Sequence, residues 1–241
     1  MIHFVFFVPL RDKIKMKKVK RFLVIIFILM TIFASYVQII NRNSINMTYR
    51  QKFLKAVYPA WMWWMNFKNI NTKKLSNEKA IPLISFYALT NKLNDGATID
   101  FSTFKGKKLL LVNTASDCGY TNQYTDLEKL YQLYKEKLTV IAFPANDFNK
   151  QEKGDDTTIA EFCKKNYMIS FPIMKKSSVV KGPVQNPVFK WLTDPTLNGW
   201  NDQQPVWNFC KYLVDENGRL INYFGSSVEP FSKELINAIN K

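Results

Sequence analysis

Leu109-Leu-Leu-Val-Asn-Thr-Ala-Ser-Asp-Cys118-Gly-Tyr-Thr-Asn-Gln-Tyr-Thr-Asp126 is the stretch on which the fold turns. Residues 109–112 form an uninterrupted apolar run, the pattern of a strand buried on both faces. Small and polar residues break the run, and Gly119 supplies a turn. From Asn122 the period changes: Tyr124, Leu127, Leu130, Tyr131 and Tyr134 recur at helical spacing and mark one apolar helix face. Cys118 therefore falls between the C-terminal end of a strand and the N-terminus of a helix. Backbone N–H groups and the helix dipole there favour a thiolate and lower the cysteine pKa. Two readings of Cys118 follow: a reactive nucleophile, favoured by the polar residues 114–117, or a small buried residue. Asp117 works against the first, because a like charge beside a thiolate raises its pKa.

Alternating elements extend outward from this unit. Residues 86–89 and 98–101 flank Asn94-Asp95-Gly96, a hairpin signal. Residues 139–145 read as a second buried strand, 157–165 as a helix, 171–174 as a third strand and 186–193 as a helix. Residues 209–214 and 219–224 flank Asp215-Glu-Asn-Gly218, a second hairpin, and 231–239 read as a helix. The alternation implies an α/β domain with a mixed sheet.

At 241 residues and 47% hydrophobic content, the chain has room for one domain with a core and additional segments. Its net charge of +15 is unevenly spread: residues 1–80 carry 15 Lys/Arg against Asp12 and Glu78, the other 161 carry 19 against 17 acids. The positive charge belongs to a segment rather than to a domain face, which argues against nucleic acid as a partner. With one histidine, His3, and three scattered cysteines, no metal site is readable, and no cofactor is expected.

Residues 22–40 hold no charge across 19 positions and span roughly 28 Å as a helix, close to a bilayer's hydrocarbon thickness. Lys17, Lys18, Lys20 and Arg21 stand directly before them. The pattern fits a transmembrane anchor or a cleaved signal peptide. An anchor is preferred, because small-x-small spacing fails at Ala34 (with Ile32) and at Ser35 (with Phe33). Seven Lys/Arg precede the segment, and Arg42, Arg50, Lys52 and Lys55 follow, which favours a cytoplasmic N-terminus and an extracytoplasmic, periplasmic domain. If Met16 is the true start, the count is four against four, the rule is silent, and the apolar residues 2–10 do not belong to the protein.

Residues 53–67 are dense in Trp and Tyr and, with Pro59 inside, too short for a comfortable second span. They read as a membrane-interface segment, with a helix packed on the following domain as the alternative. Residues 68–79 read as a polar linker, and Asn46-Met-Thr48 matches a glycosylation sequon. The expected organisation is a basic segment at 1–21, an anchor or signal peptide at 22–40, a juxtamembrane aromatic segment and linker at 41–80, and a domain at 81–241.

Val112-Asn-Thr-Ala-Ser-Asp-Cys-Gly-Tyr-Thr-Asn-Gln-Tyr resembles the peroxidatic signature of glutathione peroxidases in their cysteine-containing form. Three further segments resemble that family in order: Phe143-Pro-Ala-Asn-Asp-Phe-Asn-Lys-Gln-Glu152; Glu161-Phe-Cys163 followed by Asn166-Tyr-Met-Ile-Ser-Phe-Pro172; and Val206-Trp-Asn-Phe209 followed by Lys211-Tyr-Leu-Val-Asp215. The family often has Cys at Ala145, Gln at Asp147, Gly-Gly at Asn149-Lys150 and Pro at Lys153. The resemblance implies a thioredoxin-like fold, with Pro172 a candidate cis-proline. It implies a thiol peroxidase in which Cys118 attacks hydrogen peroxide or organic and lipid hydroperoxides while Gln151, Trp207 and Asn208 donate hydrogen bonds. The two amides and the indole N–H suit this, since they donate without adding charge.

The same resemblance makes Cys163 the resolving cysteine of the thioredoxin-dependent members, with thioredoxin or glutathione as reductant. The position three residues after Cys118 is Thr121, so no Cys-x-x-Cys is present, and Cys210 has no matching role. Ile159, Phe162 and Cys163 share one helix face, so Cys163 is expected to be buried and its helix must loosen to form a disulfide. The only arginine in 81–241 is Arg219, so no cationic glutathione cradle is evident; 194–206 is short beside the insertion that builds tetramer contacts in some family members, so the resemblance implies a monomer. Two alternatives stand beside this reading: a membrane-tethered thioredoxin-like disulfide reductase, which needs the absent Cys-x-x-Cys, and a non-catalytic interaction domain on a membrane stalk.

Overall fold

The structure, a computed structural model, describes residues 10–241, with side chains from Met16 onward; His3 and the apolar residues 2–9 lie outside the described residues. The chain forms two compact units, one ending at Arg42 and one running Asn43–Lys241. In the first, helix α1 covers Leu10–Ile40, and its Met16–Ile40 portion is long and apolar enough to cross a membrane. Thr31 Oγ1 donates to the Ile28 carbonyl (2.8 Å) and Ser35 Oγ to the Thr31 carbonyl (2.9 Å), so both hydroxyls are satisfied inside the apolar stretch. This helix is either a membrane anchor or a signal sequence.

The second unit begins before residue 81. Helix α2, Tyr49–Phe67, starts with a full capping box between Thr48 and Gln51 and buries Ala56, Tyr58, Met62 and Met65. The last three join the apolar cluster that contains Cys118 and Tyr120. The aromatic segment is thus a helix packed on the domain, although Trp63, Trp64 and Phe67 remain exposed. The polar linker is not structureless either: β1, Lys74–Ser76, adds an edge strand to the main sheet, and Leu75 packs against the core.

Residues 86–89 do not form the first arm of the hairpin. Ser85 caps a tight 3-10 turn at Phe86–Ala88, and the Phe86 ring packs against Phe101 and Trp191 at centroid distances of 4.8 and 5.3 Å. The hairpin about Gly96 is made by β2 (Thr90–Lys92) and β3 (Thr98–Asp100). Then follow β4 (Lys108–Thr114), α3 (Gln123–Tyr134), β5 (Leu138–Pro144), α4 (Asp156–Tyr167), α5 (Pro187–Leu192), α6 (Pro195–Asn198), β6 (Lys211–Val214), β7 (Leu220–Phe224) and α7 (Lys233–Asn240). Residues 171–174 make isolated bridges, to Ala142 and Leu93, rather than a strand. Pro172 offers only its carbonyl to the Ala142 N–H and has no N–H to extend a ladder. Its peptide bond is trans, not the cis form the family resemblance raised.

The sheet order is β1-β7-β6-β4-β5, with β4 and β5 parallel and the other neighbours antiparallel. This is a thioredoxin-like arrangement. Strand β4 is buried at every position, which accounts for its unbroken apolar run. Its alternate residues serve two cores: Leu110 and Val112 face the cluster of Cys118 and Cys163, whereas Leu109 and Leu111 face that of Cys210 and Trp191. Full burial of such a side chain stabilises by about 1.5–3 kcal/mol, so the strand that leads into the Cys118 loop is also among the best anchored.

Candidate active site

The site is assembled at the C-terminal end of β4. Asn113, completely buried, accepts the Phe209 N–H on its carbonyl (2.6 Å) and donates from Nδ2 to the Trp207 carbonyl (2.9 Å). One strand end thereby fixes the segment that carries Trp207 and Asn208. In the loop that follows, Thr121 Oγ1 donates to the Ala115 carbonyl (2.8 Å) and accepts the Cys118 N–H (3.0 Å). Thr121 staples the loop around the cysteine.

Cys118 is 1% exposed, and its sulfur accepts the Tyr120 N–H at 3.4 Å. Trp207 and Asn208 stand close enough for their side-chain N–H groups to favour its anion. Asn208 Nδ2 donates to Gln151 Oε1 at 3.0 Å, so Gln151 joins the cluster through Asn208. The Asp117 N–H donates to the Gln151 carbonyl at 3.0 Å, tying the two loops together. The structure therefore brings together the four residues singled out from the sequence.

The thiol is less acidic than its place in the chain implies. Burial pushes the Cys118 pKa up to about 11, against the opposing pull of Tyr120 N–H, Trp207, Asn208 and Arg50. The reason is geometric. Successive one-turn bonds, Thr121 N–H to Cys118 carbonyl, Gln123 N–H to Tyr120 and Tyr124 N–H to Thr121, separate Cys118 from the start of α3. The helix dipole fades within a turn of its end.

Arg50 enters from α2, outside residues 81–241. Its guanidinium pairs with the Asp117 carboxylate and donates to the Asp117 carbonyl (2.7 Å). Next to it, Gln51 Nε2 donates to the Ser116 carbonyl at 3.1 Å. The like charge beside Cys118 is thus paired, and a cation is present that the domain boundary at 81 left out.

The loop carrying Gln151 holds Asn149 and Lys150 at φ +50° and +52°, the left-handed conformation for which the family's Gly-Gly is suited. Phe209, after Asn208, is also left-handed at φ +66°. Strained backbone therefore flanks both amide donors. Glu152 is completely buried; Ser116 Oγ donates to it at 2.7 Å, and burial raises its pKa to about 7.

Cys163 lies on α4 with Ile159 and Tyr167 as buried neighbours on that helix, and its burial is complete. Burial raises its pKa to about 12, partly offset by the Tyr124 hydroxyl beside it. Cys210 belongs to the opposite core, where the Tyr223 hydroxyl donates to its sulfur at 3.3 Å. All three cysteines are free thiols.

Arg50, Gln51, Asn113, Thr121 and Glu152 also shape this site, and none of them stands out from the sequence as a site residue. Thr121 and Asn113 stood in the quoted stretch, but their partners come from the fold. Arg50 and Gln51 carried a readable signal, since Thr48-Tyr-Arg-Gln51 has capping-box spacing and announces a helix start.

Residues 86–193 match the glutathione peroxidase family profile. The chain is 43% identical over 148 residues to glutathione peroxidase-like peroxiredoxin GPX5 of Chlamydomonas reinhardtii, covering 61% of this chain and 90% of that protein. It is 39% identical over 154 residues to hydroperoxy fatty acid reductase gpx1 of Synechocystis sp., covering 61% of this chain and 89% of that protein. The crystal structure of Trgpx in apo form superposes with a TM-score of 0.50 at 34% identity, covering 66% of this chain and 97% of that one. A cysteine ringed by indole and amide donors on a thioredoxin-like sheet, with relatives matched over nine-tenths of their length, leaves one conclusion: the chain belongs to the glutathione peroxidase family and is a peroxidase of that family.

Proposed function

We propose that Cys118 is the peroxidatic residue, that Trp207, Asn208 and Gln151 hold its thiolate and the peroxide, and that Cys163 resolves the product. The carrying observation is the cluster around the buried Cys118 sulfur: the Tyr120 N–H donates to it, Trp207 and Asn208 stand close enough to favour its anion, and Asn208 Nδ2 donates to Gln151 Oε1. Cys118 loses its proton, and its sulfur attacks the terminal oxygen of a hydroperoxide ROOH. The O–O bond breaks, the sulfur keeps that oxygen as sulfenic acid, and RO⁻ takes a proton to leave as ROH, which is water when the substrate is hydrogen peroxide. The Cys163 thiolate then attacks the sulfenic sulfur; an S–S bond forms and hydroxide leaves, protonated to water. A dithiol reductant of the thioredoxin class returns two electrons and two protons and restores both thiols.

The opposite-face placement of Cys210 supports Cys163 as the partner, because Cys118 and Cys163 share one apolar cluster. Since both are buried, α4 must loosen for the bond to form. The domain acts as a monomer, tethered through α1 with the catalytic unit on the extracytoplasmic side, where the basic residues before the apolar stretch favour it. The name of the Synechocystis relative supports fatty acid hydroperoxides among the substrates.

The full chain, given hydrogen peroxide and either thioredoxin with its reductase or glutathione as sole electron donor, tests this. Turnover is expected with thioredoxin and is expected to be much slower with glutathione. Efficient turnover with glutathione alone would overturn the resolving role of Cys163. A disulfide reductase would instead reduce a disulfide substrate without consuming peroxide; the absence of a cysteine at Thr121 weighs against it.

A further inference from the structure

Helix α2 lies against the catalytic loop rather than apart from it. A Cβ placed on Gly119 would stand 3.3 Å from Trp61 Nε1, and the Trp61 ring meets Tyr120 edge-on at a centroid distance of 6.5 Å. Between this helix and the loop is a cavity of about 350 Å³, within the size range of small-molecule sites. Leu54, Trp61 and Met65 of α2 form one wall, and Gln151 and Trp207 line the same space. The cavity thus joins apolar side chains from α2 to two of the proposed peroxide-binding donors. Helix α2 falls outside the residues that match the family profile, so this wall is not part of the matched domain.

We infer that this cavity is a subsite for the hydrocarbon chain of an organic hydroperoxide, with Leu54, Trp61 and Met65 holding the chain while its –OOH group meets Cys118. The inference rests on the peroxidatic reading of Cys118 above. Its chemistry selects the ligand. Arg50, the charged side chain at the cavity, is already paired with Asp117, so a charged peptide such as glutathione gains little there. Hydrogen peroxide has no carbon to bury. A linear alkyl chain is the ligand whose transfer from water such walls reward.

The test uses the full chain in mild detergent with thioredoxin recycling, and compares kcat/KM for hydrogen peroxide with that for linear 1-alkyl hydroperoxides from ethyl to hexyl. The expected result is a rise with chain length, by up to about fourfold for each methylene that becomes fully buried. Leu54→Glu is expected to flatten the series and to lower the hexyl-to-hydrogen-peroxide ratio at least tenfold. A flat wild-type series with intact turnover of hydrogen peroxide would overturn the subsite alone. A length dependence equally steep in Leu54→Glu would also overturn it. No turnover of any peroxide would overturn the subsite and the peroxidatic reading together. Should Leu54→Glu not fold, 1-hexanol against hydrogen peroxide in the wild type decides: competitive inhibition much stronger than by ethanol is expected, and equal inhibition would overturn the subsite.

Discussion

Cys118 and Cys210 are hidden from solvent to the same degree and sit on opposite faces of one sheet, 1% and 0% exposed. What surrounds them differs. The Cys118 sulfur receives a backbone N–H, and the indole of Trp207, the amide of Asn208 and the Arg50 guanidinium are near enough to favour its anion. The Cys210 sulfur receives the Tyr223 hydroxyl and sits 3.4 Å from that of Ser226, within ordinary core packing. Burial is therefore not what separates the two sulfurs. The separation comes from neutral donors that can hold a developing charge without supplying one of their own.

The strongest way to break this comparison is to remove each sulfur in turn. Cys118→Ser is expected to lower peroxide turnover by more than about a thousandfold with the circular dichroism spectrum unchanged, as for loss of a nucleophile. Cys210→Ser is expected to stay within about twofold of wild type in turnover, since the proposed reaction does not touch it. Turnover by Cys118→Ser within tenfold of wild type would end the assignment.

Cys163→Ser sharpens the comparison on one face. The variant is expected to reduce one equivalent of peroxide per chain and then stop when thioredoxin is the donor. Mass spectrometry of peroxide-treated wild type should find Cys118 joined to Cys163 and Cys210 free. A Cys118–Cys210 linkage, across the sheet, would contradict the two-core arrangement.

The acidity of Cys118 gives a smaller, graded effect. With its pKa near 11, only a small fraction is thiolate at neutral pH, so the rate of Cys118 alkylation in the reduced protein rises with pH, about tenfold per unit from pH 7 towards 10. Arg50→Ala removes a charge that favours the thiolate, and is expected to slow alkylation severalfold at pH 8. A plateau already reached at pH 7 would mean that the donors outweigh burial.

The β4–loop–α3 unit was legible because two signals of different period meet there, a four-residue apolar run and then helical spacing from Tyr124. The four clustered site residues were legible only through the family's spaced motifs; Trp207-Asn208 alone reads equally well as a strand start. Other features depend on partners distant in sequence. Asn113 takes its meaning from Trp207, 94 residues on, and Arg50 from Asp117, 67 residues on. The acidity of Cys118 departs from expectation for the same reason: its position in the chain is local information, but its desolvation is set by elements packed over it, α2 among them. Lys74–Ser76 was invisible as a strand, because three residues with one apolar side chain carry no readable period.

The smallest expected effect concerns the backbone that aims Gln151. Asn149 and Lys150 hold left-handed conformations in sequence, yet they differ in what that costs. Asparagine enters this region readily, whereas a residue such as lysine is raised by roughly 1–2 kcal/mol. Glycine removes that strain but loses an additional 0.5–1 kcal/mol or so of chain entropy on folding. Lys150→Gly is therefore expected to stabilise the domain by about 0.5–1 kcal/mol, an increase of a few degrees at most in the melting temperature. Asn149→Gly should sit near zero, or slightly below it, since little strain is there to relieve. Differential scanning calorimetry of the two variants reads the difference directly. If Lys150→Gly destabilises, the lysine side chain contributes more to the loop than its φ angle costs, and the conformation that aims Gln151 is held by contacts rather than merely tolerated.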